Sequence, residues 1–386
     1  MTTLNLQPNG EVIRWARETS RKSIAEIAAD LDATPSEIRS WEANSAPVRL
    51  TQLKKLGSLY QRPIAFFFAP VPPTEELITP AFRTFDSVKL DSLSEKTLIA
   101  LRKSKENRDL YKFLLEELEE KYSFNFPITS INDDADQFAD KVRKYLGISD
   151  NIHERFKDKY VALKFWIALV EQHGLLVFQY SLPERGFCLS GNEDLPPTIV
   201  MNSGEYPAGR IFTIFHELCH LLLKEKSESI SHTRLEEYCN HFAGAFLVSK
   251  RKLMESKNRE KFLLEMSDFW LGRLAGEFKV SHEVVLRRLL ILKDITQSFY
   301  NQKIAELKKI QQRRKEESET SENSGFIAPA RKALMNVGVT MASKLFQARD
   351  AGVISTATLV RSFDTTSHSL KNVGTELASA KNLKLE

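Results

Sequence analysis

The stretch RIFTIFHELCHLLL, Arg210 to Leu223, decides the reading of this chain. On a helix turning about 100° per residue, His216 and His220 fall on one face a turn apart, so two imidazoles can share one tetrahedral Zn²⁺. Glu217 points to the side of that face, where it can act as a general base without ligating the metal. The flanks Ile211, Phe212, Ile214, Phe215 and Leu221 to Leu223 make this a core helix. Burying two imidazoles and a carboxylate there without a partner would cost several kcal/mol, and a metal ion gives all three groups a reason to be there. Three fixed residues are a short pattern, however, and a pair of structural histidines is the competing reading.

A catalytic zinc needs a third protein ligand and one coordination place open to water. The segment LEEYCNHFA, Leu235 to Ala243, opens the next helix and offers one. Glu236 and Asn240 stand one turn apart on one face, so Glu236 can bind the ion while Asn240 hydrogen-bonds an imidazole. Glu237, about a quarter-turn away, is the rival ligand. Upstream, Leu175 to Phe178 reads as a buried strand, and Gly186 to Leu189 and Thr198 to Met201 as two more, with Pro196-Pro197 as an edge or turn between them. His232, Arg234 and Tyr238 are candidates for stabilising a developing oxyanion, but spacing selects none of them. Asn202 and Arg210 are candidates to orient a substrate. Cys219, Cys239 and His241 read as packing residues, because a thiolate ligand would close the open metal position and His241 points off the ligand face.

The chain has 386 residues, 42% hydrophobic and 27% charged, with a formal charge of +4. That length exceeds what one core usually serves, so several domains are expected. So small a charge neither demands nor excludes a nucleic-acid partner. Three cysteines, Cys188, Cys219 and Cys239, are too few for a disulfide framework and point to a reducing compartment. MTTLNLQPNG lacks the basic and apolar regions of a secretion signal, and the longest apolar run, Ile64 to Val71, is far too short to span a membrane. A cytoplasmic protein with no membrane partner is expected.

Outward from the centre, Glu11 to Tyr60 carries apolar residues at helical spacing in four or more short pieces. Ser23 can cap the second and Thr34 or Ser36 the third, with a helix-turn-helix spacing between them. Pro63 to Pro80 has no helical period and reads as a strap leading out of this small domain. Ser94 to Leu118, Asp133 to Leu146 and Tyr160 to His173, closed by Gly174, read as helices. Asn301 to Arg314 reads as a basic helix and Glu316 to Gly325 as an acidic linker. Ala330 to Leu377 is helical with breaks at Gly338, Gly352 and Gly374.

The pair of patterns F-T-x-x-H-E-L-x-H, Phe212 to His220, and E-x-x-C-N-x-F-A, Glu236 to Ala243, resembles the ImmA/IrrE family of metallo-endopeptidases. The resemblance implies Zn²⁺ held by His216, His220 and Glu236, with Glu217 catalytic. It departs at Phe246 to Ser249, FLVS, where the family's motif usually ends in L-L-x-P. WARET at Trp15, SEIRSWE at Ser36 and LYQRPIAFFF at Leu59 resemble the Cro/repressor-type helix-turn-helix often fused to these peptidases, which implies Ser36, Arg39 and Ser40 as the residues facing DNA. Leu274 to Leu292 resembles the family's small helical end piece.

The expected fold is mainly α with a small β-sheet, an α+β chain. It comprises an all-α helix-turn-helix domain over residues 1–74, a gluzincin-like HExxH metallopeptidase domain over 75–300, a basic helix and acidic linker over 301–325, and a helical segment of unknown role over 326–386. The resemblance implies an endopeptidase that cuts a regulatory protein such as a repressor. Alternatives are a DNA-binding transcription regulator whose peptidase fold is sensory, and the metalloprotease of a toxin–antitoxin or phage-defence system. A single basic residue at Arg39, beside Glu37 and Glu42, is a poor DNA footprint, so the N-terminal helices could dock a protein instead. Arg14, Arg17, Arg21 and Lys22 are candidates for phosphate contacts.

Overall fold

The computed structural model describes residues 5–20, 22–60, 62–72, 93–224, 231–320 and 327–381. Among these, residues up to Arg102 form one compact unit and those from Lys103 onward another. The chain is mainly helical with two small sheets.

In the first unit, β1 (Asn5–Leu6) pairs antiparallel with β2 (Val48–Arg49), adding a two-residue ribbon to an otherwise helical domain. Around it stand α1 (Gly10–Thr19), α2 (Ile24–Asp30), α3 (Pro35–Glu42) and α4 (Leu50–Tyr60). Ser23 and Thr34 each accept from the amide three residues on, and Glu26 and Glu37 reach back to the cap amides, so both helices start on a capping box. Val12, Ile13, Ile27, Ile38, Leu53 and Leu56 close the core. The stretch expected to lead out as a strap instead turns as a 3-10 helix over Ile64–Phe68, with Phe67 fully buried in that core. Asn9 pins it, its backbone amide donating to Phe67 O and its side chain to Ala69 O. The aromatic run explains the difference, since a large ring gains more by burial than by extending into water. The expected domain boundary near residue 75 lies outside the described residues.

Helix α5 (Glu95–Glu117) contributes to both units. In the second, α6 (Ala135–Tyr145) and α7 (Lys159–Gln172) lead into the sheet β3 (Leu176–Tyr180), β4 (Gly186–Leu189) and β5 (Thr198–Asn202). β5 is central, parallel to β3 with Leu176 opposite Thr198, and antiparallel to β4 with Leu189 opposite Thr198. Helix α8 (Pro207–Leu222) follows with Pro207 in its first turn, then α9 (His232–Leu247). Four helices complete this part: α10 (Lys250–Glu255), α11 (Lys257–Glu265), α12 (Asp268–Glu277) and α13 (His282–Ile291).

One face of the sheet, with Val177, Cys188, Ile199 and Met201, packs into the main core with α7, α8 and α9. Gly186 brings β4 so close to α8 that a Cβ there would lie 2.7 Å from Thr213 Cγ2, which seats the metal-motif helix directly on the sheet. The opposite face is also buried, because Leu176, Phe178, Phe187, Leu189 and Val200 are all within a hundredth of full burial. α5 contributes there through Asn107 on Tyr180 and Arg108 on Ser190 O.

The C-terminal helices do the rest. α14 (Gln297–Thr320) runs five residues into the acidic stretch expected as linker, since Glu, Lys, Arg and Gln are strong helix formers with or without an apolar face. Residues 321–326 lie outside the described residues. Then α15 (Pro329–Val337) and α16 (Val339–Asp350) pack on β3, and α16 also on α7. They are followed by α17 (Thr356–Ser362) and α18 (Ser367–Lys381). At the α15–α16 junction Gly338 has φ +82° and lies against Val177 O, where a Cβ would approach to 2.6 Å. Gly374, expected as a helix break, sits inside α18 facing the Phe346 ring, so it serves packing rather than termination.

Candidate metal centre

Helix α8 is apolar around nearly its whole circumference, and apart from Arg210 in its first turn only its last two turns carry titratable groups. Its pairing with α9 is set by rings: Phe215 stacks on Phe246 with centroids 4.0 Å apart, and Phe242 packs on Phe138 of α6. That contact turns the first turn and a half of α9 toward the histidines of α8.

The result is a tight cluster. His216 Nε2 and His220 Nε2 stand 3.1 Å apart. Glu236 Oε2 lies 3.3 Å from His216 Nε2, and Glu236 Oε1 3.2 Å from His220 Nε2. Among the described residues these are the one group of three whose ligand atoms all lie within 4.8 Å of each other. Donors held about 2.0–2.1 Å from a tetrahedral zinc stand roughly 3.3 Å from one another, so the residues fit such an ion. Glu236 Oε1 is moreover buried with no hydrogen-bond donor in proper geometry, as is His216 Nδ1. Glu237 lies on the exposed side of α9.

Electrostatics tell the same story. Burial pushes the Glu236 carboxyl up, but the adjoining imidazoles of His216 and His220 outweigh it and hold it well below the usual carboxylate range. Burial pulls the His220 imidazole down, while Cys239, Glu236 and Glu217 outweigh it and raise it. A site that holds a positive charge between imidazole and carboxylate is one in which a divalent cation can displace a proton. Burial, with Cys219 alongside, raises the Cys239 thiol well above its ordinary value, so it remains a neutral neighbour of His220. Glu217 is buried next to this cluster, near enough for its charge to act on His220.

Of the other candidates, Tyr238, Arg234, Asn202 and Arg210 have structural duties. Asn240 is half-buried and makes no side-chain hydrogen bond among the described residues; the side chain beside His220 is Cys239. Tyr238 OH bonds Thr129 Oγ1 at 3.0 Å, and Arg234 Nη2 donates to Asn132 Oδ1 at 2.9 Å. His232 Nε2 lies 3.8 Å from Glu236 Oε1. Asn202 Oδ1 accepts from the Leu182 and Gly204 amides and so closes a turn, while Arg210 donates to Gln179 at the sheet.

Sequence reasoning missed a neighbouring network. His241 Nε2 meets Asp136 Oδ2 at 2.7 Å, and Arg288, with its side chain fully buried, grips the same carboxylate through both terminal nitrogens while its Nε donates to Val248 O. These partners lie 105 and 152 residues apart, so no local spacing could reveal them.

In the N-terminal unit, Ser36 and Arg39 are exposed on α3, Glu37 is committed to its capping box, and Ser40 Oγ donates to Ser36 O. Arg17 is spent on Glu42, with contacts of 2.6 and 3.1 Å, and Lys22 pairs with Asp30 and Glu95. Arg14 stands 3.7 Å from the same Glu42, and Arg21 lies outside the described residues.

No helix among the described residues is long and apolar enough to cross a membrane. No curated protein and no solved structure matches the chain. Residues 170–290, from the end of α7 to the end of α13 and including the whole cluster, match the family model of the IrrE N-terminal-like domain, Peptidase_M78, so this part of the chain is similar to a peptidase domain of the ImmA/IrrE type.

Proposed function

We propose that this chain is a cytoplasmic zinc-dependent endopeptidase that cuts a specific regulatory protein, such as a transcriptional repressor. The observation that carries the reading is the convergence of His216 Nε2, His220 Nε2 and the Glu236 carboxylate, with Glu217 next to His216 on α8. When bound, Zn²⁺ would supply Lewis acidity and lower the pKa of a coordinated water to about 7. Glu217 takes the proton as the water oxygen bonds to the peptide carbonyl carbon, and later delivers it to the amine nitrogen as the C–N bond breaks. His216, His220 and Glu236 would hold the ion, and the low polarity of the α8 surroundings strengthens each charge interaction there.

We read the N-terminal helices as a docking module for a protein partner in preference to a DNA reader. Arg17 and Lys22, which would otherwise meet phosphates, are neutralised by Glu42, Asp30 and Glu95, and Arg39 is the single cation on α3.

Purified full-length protein and its Glu217→Gln variant, incubated with repressors encoded nearby, test the mechanism. Both should hold one equivalent of zinc, and the variant should cut on the order of 100-fold more slowly or worse. Equal cutting by the two proteins would reject the role of Glu217.

A further inference from the structure

An endopeptidase site needs a donor for the negative charge that grows on the carbonyl oxygen, and removing such a donor costs on the order of 100-fold in rate. Three side chains at the start of α9 have the chemistry for it, and their positions separate them. Tyr238 is nearly buried, with its hydroxyl engaged by Thr129 Oγ1. Arg234 is turned to Asn132 of the segment before α6. His232 lies one helical turn before Glu236, so α9 carries both on one face.

Its Nε2 is 3.8 Å from Glu236 Oε1, too long for a hydrogen bond, and its side chain is 50% exposed. It is not a member of the ligand group, so its ring does not share the ion with His216 and His220. A half-exposed imidazole edge beside the cluster, outside its ligand group and not hydrogen-bonded to the Glu236 carboxylate, is free to meet a carbonyl oxygen that approaches Glu236.

Resting on the peptidase reading above, we propose that His232 is the catalytic residue that hydrogen-bonds the scissile carbonyl oxygen as it gains negative charge. It donates a hydrogen bond and transfers no proton; Glu217 carries the proton throughout.

The test uses full-length protein loaded with Co²⁺, whose visible absorption reports ligand binding, and acetohydroxamate as the probe, because its two oxygens imitate a carbonyl and an attacking oxygen on a metal without requiring a peptide sequence. His232→Ala should keep one equivalent of metal and bind acetohydroxamate about tenfold more weakly. His232→Gln, which keeps an N–H at similar reach, should recover most of the affinity. Affinity within twofold of wild type in His232→Ala would overturn the proposal. So would loss of metal from His232→Ala, which would make the imidazole a support for Glu236. Failure of the wild type itself to take up metal would overturn the peptidase reading, and this proposal with it.

Discussion

Glu236 and Glu237 are chemically alike and adjacent, yet only one can serve the cluster. Helical geometry separates neighbouring side chains by about 100°, so when the Phe215–Phe246 stack orients α9, Glu236 faces the imidazoles and Glu237 faces water. The prediction at this scale is a contrast. Glu236→Ala should weaken zinc binding on the order of 100-fold or more, since even side chains that merely orient a ligand are worth 10- to 100-fold. Glu237→Ala should leave the affinity unchanged. Competition with a chromophoric chelator measures both, and equal effects would refute the assignment. The raised thiol of Cys239 fits the same picture, because a nitrogen and oxygen donor set leaves a place open.

Among the elements, the one that must be held still is α9, which brings Glu236 to α8. The Asp136 carboxylate of α6 does this by joining His241 of α9 to Arg288 of α13, whose guanidinium is out of water altogether. Removing the carboxylate would leave that guanidinium buried with its charge uncompensated. Asp136→Ala should therefore destabilise the second unit by about 3–5 kcal/mol, read as a lowered denaturant midpoint in the metal-free protein. Burial pushes the Asp136 carboxyl up, but His241 and Arg288 outweigh it and hold it below the ordinary range. Its contribution is thus complete above the unfolded value near pH 4 and fades as the pH falls further. The variant should lose that part of the acid sensitivity, and an unchanged acid profile would count against the network.

For the whole molecule, the C-terminal helices belong to the same compact unit as the His216, His220 and Glu236 cluster. Glu171, the penultimate residue of α7, is buried and faces the amides of Val177, Val339 and Thr340, so it sits at the start of α16 where Gly338 has no side chain to offer as a cap. Burial pushes its carboxyl up to about 8. Because the folded value exceeds the unfolded one, the native state binds the extra proton, and stability should decline as pH rises from about 4.5 to 8. Glu171→Gln should flatten that decline and be the more stable protein at pH 8, measured by denaturant midpoints across the range. A slope identical to wild type would show that the carboxyl is not the cause. Ending the chain before residue 327 would uncover the second face of β3, so the shortened protein should lose near-ultraviolet dichroism or precipitate.

How much of this was legible in the chain follows from distance along it. Local pattern located α8 and α9, the Ser23 cap and the three strands before α8, and left the next cap between Thr34 and Ser36, because each depends on residues within a few positions of one another. The separation of His216 and His220 by one turn and the C-N pair after Glu236 carried the metal reading for the same reason. The linker placed at Glu316 was overtaken by helix propensity, and the strap at Pro63 by ring burial, where local composition and packing disagreed. By itself, the sequence determined α8, α9 and the three strands before them, and the face of α8 that carries both His216 and His220. Tertiary structure alone decided that Asp136 and Arg288 brace α9 and that the tail covers β3. The brace and the covered strand each rest on buried charge or apolar surface meeting a partner a hundred or more residues away, and the pairing exists only once the core has closed.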